Sequence, residues 1–364
     1  MKTASETHSA GTAGIPGVSA TSRVAADELR DQIERLLGSQ LHHVSEILQR
    51  HLTSENDHLS DVLDHASRFR GKQIRPVLLL LCERAISDQA SPSGMTLAAV
   101  VEMIHMATLV HDDVIDDATM RRHLPTVNRQ WNAETSVLLG DYLFSRSFRL
   151  AASTGDARAC ELIGQATDLT CAGELHQTAA RLSGSQSERD YFRVIRGKTG
   201  QLFGLSCRMG ARAAGAVDRM QRQLALAGLE LGMAFQIADD LLDLTGEQQI
   251  TGKDACNDLA NQRLTLPLLR SLQLATQDEA SEMLRALDRA KGARIIFDEL
   301  PTSSSAPGSS DSRLNSVLKR GVMSAQQTAE HLADRCIARF ERLPASDARE
   351  LLKDIARYSV RRQH

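Results

Sequence analysis

The stretch LVHDDVIDD at residues 109–117 ends a long apolar helical run that begins near Met95, and it places four carboxylates at the end of that run. Aspartates four positions apart on a helix lie about one turn apart on the same face, so their charges repel each other. The partial negative charge of the helix C-terminus adds to this repulsion. A hard cation such as Mg²⁺ would turn the repulsion into coordination, because it binds carboxylates and leaves its other positions to water and phosphate. The alternative is an exposed acidic helix end without a ligand.

A second acidic cluster repeats this spacing. The stretch FQIADDLLD at residues 235–243 follows another long apolar helix and again carries aspartates at positions i, i+1 and i+4. Two copies of one spacing favour a metal site over a solvated surface. If the two helices face each other across a cleft, the carboxylates can hold several Mg²⁺ ions around one polyanion, for which a diphosphate is the simplest candidate. The predicted metal ligands are Asp112, Asp113, Asp116, Asp239, Asp240 and Asp243.

The composition is that of a globular protein with a large core. The chain has 364 residues, of which 42% are hydrophobic and 24% charged, close to the usual proportions. A net charge of −3 gives no electrostatic basis for nucleic-acid binding. The six cysteines lie far apart without a CxxC pair, so a disulfide framework is not expected and a reducing, cytoplasmic location fits best.

The chain reads as one all-α domain. Residues 1–22 are rich in Ser, Thr, Ala and Gly, which predicts a disordered tail. Residues 23–364 show helical spacing without strand alternation, which predicts a single domain of about ten to thirteen helices. A Ser- and Pro-rich segment near residues 300–312 predicts a flexible insertion. The most apolar segment, residues 95–110, is too short to span a bilayer, and the tail lacks the apolar region of a secretory signal.

Basic residues precede one buried helix and follow the first acidic cluster. Lys72 and Arg75 lie in GKQIRP at residues 71–76, at a predicted helix N-terminus, which favours anions; a basic surface loop is the alternative. Arg121 and Arg122 follow the aspartates directly. They either compensate the acidic charge or bind a phosphate held by the metal ions from the other side.

Two further groups of residues can be interpreted either as ligand-binding or as ordinary surface side chains. Lys198 and Thr199 lie within a helical pattern, where they are either phosphate donors or ordinary polar surface. His51, His58 and His65 recur every seven residues. A metal-binding stripe is one interpretation of this spacing, and solvent-facing histidines are the favoured one.

Taken together, these motifs resemble the trans-isoprenyl diphosphate synthases of the polyprenyl synthetase family over about residues 30–362. The matching segments occur in the family's order: GKQIRP at 71–76, HMATLVHDDVIDDATMRR at 105–122, GKTGQLF at 197–203, FQIADDLLD at 235–243 and GK at 252–253. The resemblance implies an all-α isoprenoid synthase bundle around a deep central cavity, usually a homodimer. It also implies a prenyltransferase that uses two to three Mg²⁺ ions to condense an allylic diphosphate head-to-tail with successive isopentenyl diphosphate units.

The resemblance also implies roles for individual residues. Both aspartate motifs would bind the Mg²⁺ ions that hold the allylic diphosphate. The groups matching the isopentenyl diphosphate site are Lys72, Arg75, His105 and Arg122. The groups matching the allylic diphosphate site are Arg121, Lys198, Thr199, Gln236 and Lys253, with Lys198 also counted as catalytic.

Product length follows from the positions four and five residues before the first aspartate. Shorter-chain members of the family often carry bulky aromatics there, whereas this chain has Thr108 and Ala107. Small residues imply a long-chain product. A bulky residue deeper in the cavity, and hence a short-chain farnesyl or geranylgeranyl diphosphate synthase, is the alternative.

One segment departs from the family pattern. Where the family commonly reads GKxxGxDLxEGKxTLP, residues 252–267 read GKDACNDLANQRLTLP, so Cys256 replaces a glycine and residues 261–263 replace Glu-Gly-Lys. This change is expected to affect how the loop closes over diphosphate. Two other functions compete: a non-catalytic partner subunit of a heteromeric synthase and a class I terpene cyclase. The two intact aspartate motifs argue against the first, and GKQIRP with DDLLD argues against the second. Transient membrane contact during product release is a further option.

Overall fold

The computed structural model describes residues 20–69, 71–183, 187–245, 264–289 and 310–361. Within these ranges the chain forms thirteen α-helices of eight or more residues, which confirms the all-α prediction. The helices are α1 (Ala20–His51), α2 (Asp57–Ser67), α3 (Ile74–Ser87), α4 (Pro92–Ile115), α5 (Ala133–Ala152), α6 (Ala157–Ser183), α7 (Glu188–Ile195), α8 (Gln201–Ala213), α9 (Asp218–Thr245), α10 (Leu266–Leu274), α11 (Gln277–Arg289), α12 (Ser310–Phe340) and α13 (Asp347–Arg361).

Three smaller elements complete the described structure. A π-helical turn, Arg196–Gly200, joins α7 to α8, and a four-residue helical turn, Val127–Gln130, precedes α5. Strands β1 (Met120–Arg121) and β2 (Leu124–Pro125) form an antiparallel ribbon directly after α4. This ribbon was not predicted, because two residues per strand are too few to show an alternating pattern.

Several predictions of chain organisation fall outside the described residues. Helix α1 begins at Ala20, so only the end of the predicted tail is described, and that end is helical. Helix α12 begins at Ser310, and the rest of the predicted insertion is not described. Lys253, Cys256 and residues 261–263 also lie outside the described ranges.

Helix α4, which carries the first acidic cluster, is fixed at its N-terminus by two side chains. Ser91 is its N-cap and accepts a hydrogen bond from the Gly94 amide at 3.0 Å, and Pro92 occupies the first helical turn, as expected for a helix start. Glu83 of α3 accepts bonds from the Ser91 amide at 2.8 Å and the Ser91 hydroxyl at 2.6 Å. The end of α3 thereby sets the start of α4.

The core is built around α3, α4 and α8. The α3 segment from Val77 to Cys82 is buried on all sides, and so is α4 from Leu97 to Ile104. Helix α8 packs against both α4 and α9, the helices that carry the two acidic clusters. The π-helical turn that leads into α8 packs against α6 and α9.

Helix α4 is longer than the apolar segment that was predicted to be too short to span a bilayer, and it has the length and apolarity that a membrane span requires. It contains 24 residues, and 67% of its most apolar window is buried inside the protein. Its apolar side chains thus contact other helices, as in the core helix of a folded domain.

Glycines in α8 allow close helix packing, which leads to a stability prediction. A Cβ built on Gly210 would lie 2.1 Å from the Leu79 carbonyl oxygen of α3, whereas a Cβ on Gly164 of α6 meets nothing within 4 Å. We expect Gly210→Ala to lower the free energy of unfolding by about 1–3 kcal/mol through overpacking. The control Gly164→Ala should leave it unchanged or raise it by up to about 1 kcal/mol. Urea unfolding followed by circular dichroism measures both, and equal effects would contradict the packing described.

Candidate active site

The acidic end of α4 is partly neutralised by the ribbon that follows it. Asp113 is buried, with 2% of its surface exposed. The Arg121 guanidinium of β1 donates to both of its carboxylate oxygens, with Nη2 at 2.7 Å from Oδ1 and Nε at 2.9 Å from Oδ2. Burial raises the pKa of Asp113, and the bonds from Arg121 oppose this shift. Arg121, predicted to contact diphosphate, is therefore bound to the first acidic cluster here.

Lys198 joins α4 to α6. Its ammonium nitrogen lies 3.2 Å from Oδ2 of Asp112 and 2.9 Å from Oε1 of Glu174. Burial raises the pKa of Glu174, and so do the charges of Asp112 and, more weakly, Asp116, against the lowering effect of Lys198. Asp112 and Glu174 thus share one ammonium group, and Asp116 lies close enough to affect the pKa of Glu174.

The π-helical turn packs closely between two helices. A Cβ on Gly197 would lie 2.8 Å from Cα of Gly173 in α6, and a Cβ on Gly232 of α9 would lie 2.9 Å from Cα of Gly200. Each glycine pair lets a helix backbone touch the turn. Irregular π turns often occur at functional sites, and this one presents side chains to α6 and α9 at once.

The second acidic cluster is tied to the same turn. The Thr199 hydroxyl donates to Gln236 Oε1 at 2.7 Å, and Gln236 Nε2 donates to Asp240 Oδ1 at 2.9 Å. The Tyr191 hydroxyl of α7 donates to the other Asp240 oxygen at 2.5 Å. These four residues and Lys198 line a cavity of about 100 Å³. Both acidic helices are therefore bonded to side chains that border one cavity.

The carboxylates fit a hard divalent cation by their chemistry. Within the described ranges, no three His, Cys, Asp or Glu side chains already converge as a metal site. However, Asp112, Asp116 and Glu174 are close enough to influence one another's charge. Asp239 and Asp243 lie one turn apart and half-buried on α9. Carboxylate oxygens of this kind are the donors that Mg²⁺ prefers in proteins.

Several arginine side chains lie close to His105. Arg75 stacks over the Phe203 ring, with Cζ 5.0 Å from its centroid. Burial lowers the pKa of Arg75 to about 10, against the opposing charge of Glu102, so the guanidinium stays charged at neutral pH. Burial also lowers the pKa of His105, and the charges of Arg75, Arg121 and Arg122 lower it further. His105 is therefore a neutral side chain among arginines.

Arg122 is presented by a strained turn of the ribbon. Arg122 and His123 have φ values of 51° and 64°, and each left-handed residue other than glycine costs about 1–2 kcal/mol. The Arg122 guanidinium lies against Gly71, where a Cβ would be 2.0–2.5 Å from it. Lys72, the next residue, is exposed in the loop before α3. The structure thus brings Arg75, Arg122 and His105 together, with Lys72 adjacent in the loop.

This geometry agrees with the comparison with known proteins. The family model for polyprenyl synthetase matches residues 56–299. The chain belongs to the polyprenyl synthetase family. The members of this family are prenyltransferases, and this chain is accordingly a polyprenyl diphosphate synthase.

Relatives of this synthase are named for long-chain products. It is 35% identical over 328 residues to heptaprenyl diphosphate synthase component 2 of Geobacillus stearothermophilus, covering 90% of this chain and 97% of that one. It is 30% identical over 332 residues to octaprenyl diphosphate synthase of Escherichia coli, covering 91% and 98%.

Two solved structures show the same fold. A decaprenyl diphosphate synthase from Rhodobacter capsulatus superposes with a TM-score of 0.79 at 32% identity, covering 92% of this chain and 99% of that one. A polyprenyl synthase from Caulobacter crescentus, solved with calcium and isoprenyl diphosphate, gives a TM-score of 0.79 at 31% identity, covering 92% and 98%.

The structure also contains site residues that the sequence did not identify. Glu174 binds Lys198, Tyr191 binds Asp240, and Glu102 faces Arg75. Each pair joins two helices. The spacing of residues within one helix cannot predict contacts between two helices.

The residues expected to set chain length stay untested. Ala107 is fully buried in the core of the synthase, and the half-buried Thr108 donates to the His105 carbonyl oxygen at 2.8 Å. The cavity bordered by Tyr191 and Asp240 is lined by other residues. Their role in product length therefore remains a prediction.

The environment of His105 predicts its titration. Because burial and three arginines lower its pKa, His105 should gain its proton only when the pH falls well below the ordinary imidazole value of about 6.5. Arg122→Gln should raise this pKa but leave it below that value, since burial is the larger cause. NMR titration of the labelled imidazole measures both midpoints. A midpoint at or above about 6.5 in the unmodified protein would contradict the electrostatic arrangement.

Proposed function

We propose that this synthase condenses an allylic prenyl diphosphate with successive isopentenyl diphosphate units to give a long-chain polyprenyl diphosphate. The observation that carries the proposal is the turn at Lys198 and Thr199, which ties both acidic helices to one cavity. The hepta-, octa- and decaprenyl names of the relatives support a long product.

The acidic side of the site is suited to the departure of the allylic diphosphate. When bound by Asp112, Asp116, Asp239 and Asp243, two to three Mg²⁺ ions would supply Lewis-acid stabilisation of the departing diphosphate. Lys198 adds a positive charge at the same edge of the cavity, where it offsets the negative charge that develops on the leaving group. Thr199 and Gln236 offer hydrogen bonds beside it.

The cationic side is suited to the second substrate. Arg75 and Arg122 would bind the diphosphate of isopentenyl diphosphate, assisted by Lys72, because guanidinium groups match phosphate oxygens well. Neutral His105 can donate a hydrogen bond without adding charge. The isopentenyl double bond then attacks the allylic cation, and we propose that the released diphosphate accepts the proton that is lost. The surrounding apolar core excludes water from the cation.

Turnover tests this proposal directly. Purified protein with farnesyl diphosphate, labelled isopentenyl diphosphate and Mg²⁺ should give a ladder of longer prenyl diphosphates. Asp112→Ala and Asp239→Ala should each lower kcat by at least about 10²-fold, with the fold retained as judged by circular dichroism.

Asp117→Asn is the matched control for these variants. Asp117 is exposed next to the motif and has a φ of 48°, a conformation that asparagine tolerates. We expect Asp117→Asn to retain activity. Aspartate-motif variants as active as the control would overturn the metal assignment.

Chain length has its own test. Ala107→Phe should shorten the product if this position lines the path of the growing chain, because a phenyl ring would block further elongation. Chromatography of the dephosphorylated products measures this. An unchanged product would remove Ala107 from the set of residues that determine length.

We also propose that the synthase is a homodimer. Helices α5 and α6 expose large apolar side chains, including Leu138 and Leu175, which are 61% and 72% exposed. Val137 and Leu169 are further examples. A cluster of exposed apolar side chains on neighbouring helices is typical of a subunit interface.

A two-component enzyme is the second candidate assembly. The Geobacillus stearothermophilus relative is named as component 2 of its synthase, which favours a chain that needs a different subunit. Light scattering should give twice the chain mass of 39.8 kDa for an active homodimer, and Leu175→Glu should lower it. A chain that is inert alone and gains activity when a second component is added would support the alternative.

A cytoplasmic location stays a prediction. The five cysteines in the described part of the chain are free, which fits a reducing compartment.

A further inference from the structure

We propose that His65 is a positioning residue that holds the β1–β2 ribbon, and with it Arg122, in place for the diphosphate of isopentenyl diphosphate. The inference rests on the proposed function and adds a residue outside the site described above. It also gives a role to one of the three histidines that recur every seven residues.

The ribbon that presents Arg122 cannot hold its own shape. It contains two residue pairs, Met120 with Pro125 and Arg121 with Leu124, and a two-stranded hairpin is at best marginally stable in water. Two-residue turns with positive φ values strongly prefer Asn-Gly or similar pairs, whereas this turn is Arg122-His123. The conformation must therefore be imposed by contacts with the rest of the protein.

Each strand has an anchor of its own, and Thr126 also joins the ends of the ribbon by donating from its amide to the Thr119 carbonyl oxygen at 3.1 Å and from its hydroxyl to the Ala118 carbonyl oxygen at 2.7 Å. Strand β1 is held by Arg121, which binds Asp113 through both carboxylate oxygens. At the end of β2, His65 Nε2 lies 2.8 Å from the Pro125 carbonyl oxygen. Because a carbonyl oxygen only accepts, this nitrogen carries the hydrogen. Helix α2 thereby holds β2.

The His65 ring is fixed in the orientation that this bond requires. It packs edge-on against Phe69 and against Trp131, with ring centroids 5.1 Å apart in both cases. Phe69 is buried, and Trp131 ends the short helical turn that follows β2. The imidazole is therefore an ordered donor between α2 and the segment that continues from the ribbon.

Because the anchors of the two strands differ, loss of the His65 bond is expected to affect the two substrates unequally. Without the bond from His65, β2 and the turn lose a support, whereas Arg121 keeps its own bonds to Asp113. Arg122 lies in the turn and reaches Gly71, next to Lys72, so its position depends on the turn. Loss of the His65 donor should therefore weaken isopentenyl diphosphate binding more than allylic diphosphate binding.

Three variants test this inference. His65→Phe keeps an aromatic ring between Phe69 and Trp131 but removes the donor, and His65→Gln keeps a donor. His58→Phe makes the same change at an exposed position on the same helix. The readouts are the KM values for isopentenyl and farnesyl diphosphate with Mg²⁺, and calorimetric titration of isopentenyl diphosphate without metal.

We expect His65→Phe to raise the KM for isopentenyl diphosphate about five- to tenfold, the size of one lost hydrogen bond. The KM for farnesyl diphosphate should change less than about twofold, and His65→Gln and His58→Phe should stay close to the unmodified protein. Equal changes in both KM values, or no change, would overturn the inference. If His65→Phe does not fold, His65→Leu, which also removes the donor, takes its place: a selective rise in the KM for isopentenyl diphosphate supports the donor role, and an unchanged KM refutes it.

Failure of the proposed function can be distinguished from failure of the inference about His65. An unmodified protein that makes no product refutes the proposed function. The metal-free titration still reports on His65, since it measures binding to Arg75 and Arg122 without turnover. Equal affinities of the unmodified protein and His65→Phe in that titration would refute the positioning role.

Discussion

Two adjacent side chains on the π-helical turn, Lys198 and Thr199, connect the helices that form this site. The Lys198 ammonium is shared by Asp112 of α4 and Glu174 of α6, and the Thr199 hydroxyl binds Gln236 of α9. On a helix, consecutive residues point about 100° apart, so one turn can reach helices on different sides. Close contacts at two glycine pairs fix the turn in this place. The position of both acidic motifs relative to the cavity depends on it.

The site contains an acidic region and a basic region. Asp112, Asp116 and Glu174 form an acidic region in which Lys198 binds Asp112 and Glu174, and Arg75 and Arg122 form a basic region around neutral His105. Arg121 lies between the two regions and binds buried Asp113. The acidic region is suited to bind an anion through divalent cations. The basic region is suited to bind an anion directly through its side chains. Two diphosphates handled differently are what a chain-elongating prenyltransferase requires.

The sequence predicted those features that depend on local spacing. Asp112 and Asp116, or Asp239 and Asp243, are one turn apart on any helix, so their proximity within each motif could be predicted before the fold was known. The all-α class followed from periodicity in the same way. By contrast, Glu174 and Lys198 are 24 positions apart, and Tyr191 and Asp240 are 49 positions apart. Their contacts depend on how helices pack, and one sequence contains no direct record of that.

The central claim is that both acidic motifs hold one diphosphate through shared metal ions. A double-mutant cycle tests it: Asp112→Asn, Asp239→Asn and the combined variant are titrated calorimetrically with a non-reactive allylic diphosphate analogue in Mg²⁺. Once one motif has lost its metal, the other cannot hold the same diphosphate, so the combined loss should be smaller than the sum of the single losses by at least about 1 kcal/mol. Strictly additive losses would show that the motifs act independently and would contradict the account.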